Sequence, residues 1–390
     1  MRIGIDYTAA VNQTAGIGRF TRGLVSALAD VDQDNEYVLF YTQPHGPSRG
    51  PLFPDHPNFQ ERSIPVSDRT LTIIWYRLGL PLAIDLFTGA VDLFYFPNYV
   101  QPPLRRGASV VTVHDLSFLM VPECADAGLR AHLERVVPAS VAAADFITAD
   151  SENTRNDIIA LLDVPEERVE VVYGGLEPSL RRVEDQAILE GIRRKYRLHF
   201  PFILHVGVIE PRKNLCRLIQ AYQLVRERTR LPHKLVIAGG LGWLYHDVFR
   251  EVEELHLGDD VVFPGFVPDQ DLPALYSLAD VLAYPSLYEG FGFPPLEAMA
   301  CGTPVVCSNS SSLPEVVGDA AITVSPTDVE ALADGLITVL EDHRVQAELV
   351  EKGHKRARLF TWEASARKLV GCFERAGSYR LGPGQVSLGR

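Results

Sequence analysis

Short runs of β-branched and aromatic residues alternate with amphipathic stretches from end to end, and the series runs twice. In the first half RIGID, YVLFY, DLFYF, SVVTV and VEVVY are predicted strands. Between them lie helices such as IGRFTRGLVSALAD and ENTRNDIIALL, the second with Ser151 as its N-cap. In the second half FILHVGV, KLVIAG, DVVFPG, DVLAYP, TPVVCS and AITV alternate with LCRLIQAYQLVRER, DLPALYSLA, PPLEAMA and VEALADGLITVLED. Strands separated by whole helices pair in parallel, so the predicted class is α/β with doubly wound, Rossmann-like sheets. Residues 174–199 are charged, carry Gly-Gly and a proline, and read as the linker between two complete series. The predicted domains are 1–180 and 181–360, followed by a helix over 361–377 and a flexible tail over 378–390. Two such domains leave a cleft, and parallel sheets take ligands at the C-terminal ends of their strands.

The chain has 390 residues, which suits two cores better than one. Its formal charge of −13 lacks the basic face expected of a nucleic-acid binder, although a local basic cluster can still hold a small anion. Five scattered cysteines without a Cys-x-x-Cys pair suit a reducing, cytoplasmic compartment. The chain opens on the strand MRIGID, so no secretory leader is expected. The longest weakly polar stretch, LTIIWYRLGLPLAIDLF at 71–87, is interrupted by Arg77, Gly79, Pro81 and Asp85 and is predicted to be a core or groove helix.

The chemistry concentrates after DVLAYP. Glu289 and Glu297, eight positions apart, bracket Gly290-Phe291-Gly292-Phe293 and two prolines. Glycines let backbone amides approach a ligand, and Pro295 suits the first position of a short helix ended by Gly302. A helix N-terminus attracts anions, and a carboxylate can grip vicinal hydroxyls. Taken singly, Glu297 would complement the helix dipole and Glu289 would sit in water; together with the glycines and prolines they read as hydroxyl grips around a phosphate seat. Arg212 and Lys213 stand just before the helix that Asn214 is predicted to cap. Two cations at that end of a helix call for an anion between them.

In the first half, Ala15-Gly16-Ile17-Gly18 closes the first strand-to-helix turn but lacks the third glycine of a dinucleotide fingerprint. His114-Asp115 ends SVVTV, where packing and chemistry are both open readings. There is no P-loop and no His-Glu-x-x-His. Asp30-Val31-Asp32 and Asp269-Gln270-Asp271 sit at a helix end and in a turn, and neither is read as a metal site. The sequons at Asn12 and Asn309 carry no weight in a cytoplasmic chain.

EGFGFPPLE, followed by AMACGTPVV and SSLPEVVGDAA, resembles the signature of the family 4 glycosyltransferases, retaining enzymes of the GT-B fold. The resemblance extends to GIGRFTRGL, VTVHDLSFLMVPE, DSENTRNDI, VGVIEPRKN and FPGFVPDQDLPALYSLADVLAYPSLYEGFG, nearly the whole chain. It implies two Rossmann-like domains facing across a cleft. The first would take the acceptor and the second the nucleotide sugar, and the C-terminal helix would return to the first domain. It assigns Glu297 to the ribose hydroxyls, Glu289 to the sugar, and the amides around Phe291, Gly292 and Phe293, with Gly290, to the diphosphate. Lys213 matches the diphosphate-binding lysine. The usual arginine five residues earlier is Val208 here, and Arg212 substitutes for it. His114 matches the histidine near the donor sugar, Gly16 the loop glycine near the diphosphate, and Val267 the position that meets the base.

The candidate catalytic residues are therefore His114, Glu289, Lys213 and Arg212. The function implied is metal-independent, retaining transfer of a hexose, without a commitment to Glu289 as covalent nucleophile and with no cofactor. GDP-mannose is the first choice of donor and a UDP-sugar the second; a sugar-nucleotide epimerase or hydrolase and a silent binding subunit are the rival classes. The acceptor expected is a glycan or a lipid-linked glycan, which would bring the protein to the inner face of the membrane.

Overall fold

The computed structural model describes residues 1–13, 16–42, 53–78 and 80–381. Ala15 of the first glycine turn, Thr14 of the Asn12 sequon and tail residues 382–390 lie outside the described residues. The chain divides into two compact units. The first comprises Met1–Leu116, Ala131–Gly175 and the segment from Thr361 onward; the second comprises Ser117–Arg130 and Leu176–Phe360.

The first unit holds strands β1 (Arg2–Asp6), β2 (Glu36–Thr42), β3 (Phe59–Ile64), β4 (Leu93–Phe96), β5 (Ala108–Val113), β6 (Phe146–Ala149) and β7 (Val169–Val171). They form one seven-stranded sheet in the order 3-2-1-4-5-6-7, every pair parallel. β4, β5 and β6 are buried along their whole length, as a sheet covered on both faces requires. β3, FQERSI, is largely exposed and polar, which is why its sequence does not read as a strand.

The second unit holds β8 (Phe202–Val206), β9 (Lys234–Ala238), β10 (Val261–Gly265), β11 (Val281–Tyr284), β12 (Val305–Ser308) and β13 (Ile322–Val324). They form a six-stranded parallel sheet in the order 10-9-8-11-12-13. In both sheets the order reverses beside the first strand of the series, at β1/β4 and β8/β11. A doubly wound sheet splays its loops apart there and leaves room for a ligand.

The helix Trp362–Leu381 packs in the first unit against the helix Ile17–Val31. Trp362 meets Phe20 edge-on at 5.7 Å, and a Cβ on Gly23 would lie 2.3 Å from the indole. Ser365 donates to the Tyr173 carbonyl at 2.6 Å. The return of this helix to the first unit follows from those contacts.

Three local expectations are corrected. Residues 71–87 are not one helix: Asp68–Thr72 leads into a π-helical turn at Ile73–Arg77, and a short helix resumes at Asp85–Thr88. Leu78, Leu80 and Leu86 are exposed rather than core. The charged segment 174–199 contains the helix Gln186–Tyr196, whose Leu189 and Ile192 pack on Ala274 of the second unit. No helix among the described residues is long and apolar enough to cross a membrane.

Candidate active site

β8 ends at Val206, and one 3-10 turn, Pro211–Lys213, leads into the helix Leu215–Arg228. Asn214 joins the two in a left-handed conformation (φ 60°), which asparagine tolerates better than most residues. It occupies the N-cap position, but its side chain caps nothing. Instead its amide donates to the carbonyls of Pro285 (2.9 Å) and Pro326 (2.7 Å), tying the turn to the loop after β11.

That tie brings Glu289 onto the two cations. Lys213 Nζ donates to Glu289 Oε1 at 2.6 Å, and Arg212 Nη1 donates to Oε2 at 2.7 Å. The anion demanded by paired cations is thus supplied by the chain itself. Tyr284, the last residue of β11, accepts from Lys213 Nζ (2.9 Å) and donates to Glu289 Oε1 (3.0 Å). Arg212 is oriented further by buried Glu210 (2.8 Å) and by the Tyr288 carbonyl (2.8 Å). Burial alone would raise the Glu289 pKa, but Arg212 and Lys213 outweigh it and hold the carboxyl at about 2. Burial also pulls the Lys213 pKa down, with Arg212 adding to it and Glu289 opposing.

The loop between the two glutamates is clamped from the following turn. Ser311 Oγ accepts from the Glu289 N–H at 2.8 Å, and Ser312 Oγ donates to the carbonyls of Glu289 (2.9 Å) and Phe291 (2.8 Å). Phe291 is buried between Phe293 and Phe360, with ring centroids 4.9 and 5.6 Å away. Gly292 is the N-cap of the helix Phe293–Ala300 at φ 105°, and a Cβ there would fall 2.6 Å from Leu313. Both backbone and space therefore require glycine.

The helix begins at Phe293, so Pro295 is its third residue and not its first, and Glu297 lies in the second turn. Glu297 is 1% exposed and accepts from the Tyr276 hydroxyl at 2.8 Å. It is a buried, hydrogen-bonded carboxylate rather than a dipole-complementing surface charge.

The remaining candidates lie on other segments of the chain. Val267 is buried in the loop after β10, the edge strand two places from β8. Gly16 belongs to the first unit, at φ 51° on the N-terminus of Ile17–Val31, and among the described residues nothing lies within 4 Å of the position of its missing Cβ. His114 follows β5 in the first unit, and both its ring nitrogens have internal partners: Nδ1 lies 2.7 Å from Asp150 Oδ2, and Nε2 lies 2.8 Å from the Pro97 carbonyl. One aspartate of each Asp-x-Asp string is also engaged internally. Asp32 accepts from Asn35 and Tyr37, and Asp271 accepts from Lys195 and Tyr196.

Sequence reasoning did not single out Glu210, Tyr276, Tyr284, Ser311, Ser312 or Asp150. Tyr284 at the end of a buried strand and Asp150 just after FITA were the available signals, because strand ends are where a parallel sheet presents its polar groups.

The second of the two Rossmann-like units thus carries a buried basic-acidic cluster at its β8/β11 switch point. Residues 191–356 match the model for glycosyl transferases group 1, and residues 14–180 match that for glycosyltransferase family 4. The chain is 34% identical over 371 residues to O-antigen chain mannosyltransferase B of Escherichia coli, spanning 92% of this chain and 96% of that protein. Among solved structures, sucrose-phosphate synthase from Thermosynechococcus elongatus superposes with a TM-score of 0.74 at 21% identity, covering 97% and 99% of the two chains. HepE of Anabaena, solved with UDP and glucose, gives 0.72 at 18% identity, over 96% and 100%. The chain belongs to the family 4, group 1 glycosyltransferases and has their GT-B fold. It is a hexosyltransferase by that membership, with a nucleotide-sugar donor implied.

Proposed function

We propose that this enzyme transfers mannose from GDP-mannose to a glycan or lipid-linked acceptor, retaining the α configuration and using no divalent metal. The observation that carries the reading is the pairing of Lys213 and Arg212 with Glu289 beside the glycine-rich loop. A diphosphate entering the cluster competes with Glu289 for the two cations. As they turn to phosphate oxygens, the Glu289 carboxylate is freed to accept from sugar hydroxyls. Lys213 and Arg212, with the amides of Gly292 and Phe293 at the helix start, then stabilise the leaving nucleoside diphosphate, the task a metal would otherwise perform. One carboxylate of each Asp-x-Asp string, Asp32 and Asp271, already accepts hydrogen bonds from neighbouring side chains, which favours the metal-free route.

Glu297 is assigned to the ribose hydroxyls, Val267 to the base, Gly290 and Phe291 to the diphosphate-facing loop, Gly16 to the diphosphate from the first unit, and His114 to the donor-sugar side. Mannose is preferred because the relative matched over nearly its full length is named a mannosyltransferase. Thermal unfolding against GDP, UDP and their sugars, with and without EDTA, tests the donor. A GDP-selective shift that survives EDTA and is largest with GDP-mannose is expected; a UDP-selective shift would replace the donor. Lys213→Ala should lower turnover about a hundred-fold, in line with losing one preorganised charge at the leaving group. Release of free mannose or of a new sugar nucleotide, without transfer, would overturn the assignment to transfer.

A further inference from the structure

In the first unit, the first residues after three neighbouring strands meet one another: Pro97 after β4, His114 after β5 and Asp150 after β6. Both groups facing the His114 ring are acceptors, the Asp150 carboxylate at 2.7 Å and the Pro97 carbonyl at 2.8 Å. A neutral imidazole has one N–H and can satisfy only one of them. The ring is held in place by Phe20 at 5.0 Å and Tyr99 at 5.2 Å, both edge-on. Asp150 is buried, and among the described residues its Oδ1 meets no donor, so the imidazole is its main partner.

The turn gripped by His114 is itself strained. Tyr99 has φ 56°, a rare conformation for an aromatic residue, which persists only where surrounding contacts over-determine it. Its N–H donates to the Thr112 carbonyl at 2.9 Å, and its hydroxyl accepts from the Asp115 N–H at 3.1 Å. With the Pro97 carbonyl held by His114, the Asn98–Tyr99 turn is fixed from three sides at the ligand-binding edge of the sheet.

We propose that Asp150 is a positioning residue: it holds His114 doubly protonated, and the second N–H clamps the Pro97–Tyr99 turn that meets the hydroxyls of the acceptor glycan. This rests on the reading above that the first unit takes the acceptor. The groups facing the ring are Asp150 and Asp115, which favour the charged form, and the phenol of Tyr99, with Tyr95 beyond Asp150. Burial opposes the charge, but Asp150 first, then the Pro97 carbonyl and Asp115, raise the His114 pKa above 6.5. The clamp is therefore complete below that range and is lost as pH rises through the raised value. On deprotonation the remaining proton stays with the carboxylate, and the Nε2 lone pair then opposes the Pro97 carbonyl. In Asp150→Asn the side-chain amide donates to Nδ1, so the neutral ring keeps its proton on Nε2 and the clamp no longer depends on pH.

Nitrogen NMR of the full chain with labelled histidine, combined with steady-state kinetics, tests this. One histidine signal, missing in His114→Gln, should show both ring nitrogens protonated at pH 6 and a single protonated nitrogen in Asp150→Asn. With GDP-mannose and a mannose-terminated oligosaccharide, the acceptor KM of the wild type should rise as pH passes upward through the raised His114 value. Asp150→Asn should flatten that rise, and so should Asp150→Ala, because without the carboxylate the Pro97 carbonyl is the remaining acceptor and the neutral ring keeps its proton on Nε2. A neutral His114 in the wild type at pH 6, or an unchanged pH response in Asp150→Asn, would overturn the role of Asp150. An imidazolium with a level acceptor KM would overturn the link to the acceptor. Absence of mannose transfer by the wild type counts against the donor assignment, and the nitrogen spectra then decide the role of Asp150 alone.

Discussion

Lys213 and Glu289, 76 positions apart, meet at 2.6 Å in a buried ion pair. Their side chains are 9% and 8% exposed, so little water screens them. With Arg212 on the other carboxylate oxygen and on buried Glu210 as well, the cluster pairs two cations with two carboxylates. A diphosphate therefore gains both cations only by displacing Glu289 from them.

Replacing Glu289 with glutamine should reveal this arrangement in the ligand-free protein. Breaking one side of a buried pair costs on the order of 3–5 kcal/mol. Glu289→Gln should unfold at a lower temperature than wild type, yet gain more from GDP, because the diphosphate no longer displaces a carboxylate. An unchanged melting temperature would show that the pair contributes nothing to the resting state.

The same carboxylate sets an acid limit. Its pKa falls from an ordinary 4.5 to about 2 on folding, so its stabilisation is complete above 4.5 and is lost as pH falls towards about 2. Urea unfolding should show a wild-type advantage over Glu289→Gln that is level from pH 5 to neutrality and shrinks between about 4.5 and 2. An advantage that persists undiminished to the lowest pH would exclude Glu289 as its source.

Glu297 and Tyr276 should separate binding from turnover. Tyr276→Phe removes the 2.8 Å bond that orients the carboxylate, and the donor KM should rise about five-fold with kcat nearly unchanged. Glu297→Ala should raise the donor KM further. A fall in kcat at constant KM in both variants would move Glu297 from the ribose to the reacting sugar.

Gly292→Ala forces a side chain into φ 105° and to within 2.6 Å of Leu313. Strain of that kind costs about 1–3 kcal/mol, and the helix start should shift with it. Both the melting temperature and nucleotide affinity should fall.

Much of this protein is legible without coordinates because its signals are local. Buried strands such as VVCS and VLAY are apolar runs between turn residues, and the Ser151 cap is a short-range contact that the structure reproduces. The glycine-rich loop, the short helix after it and the two cations before Leu215 also lie within single windows of sequence. The polar strand β3 and the π-turn at Ile73–Arg77 were not legible, since neither has the apolar pattern of its element.

What the sequence alone determined was the series of elements and which residue types stand at the strand ends. Which of those residues touch was decided by strand order. Only because β8 pairs with β11 does the turn after one deliver Lys213 to Glu289 after the other. The neighbours β4, β5 and β6 likewise assemble Pro97, His114 and Asp150 from three distant segments. Propensity and periodicity act over a few residues, whereas these contacts exist only once long-range pairing has closed each sheet.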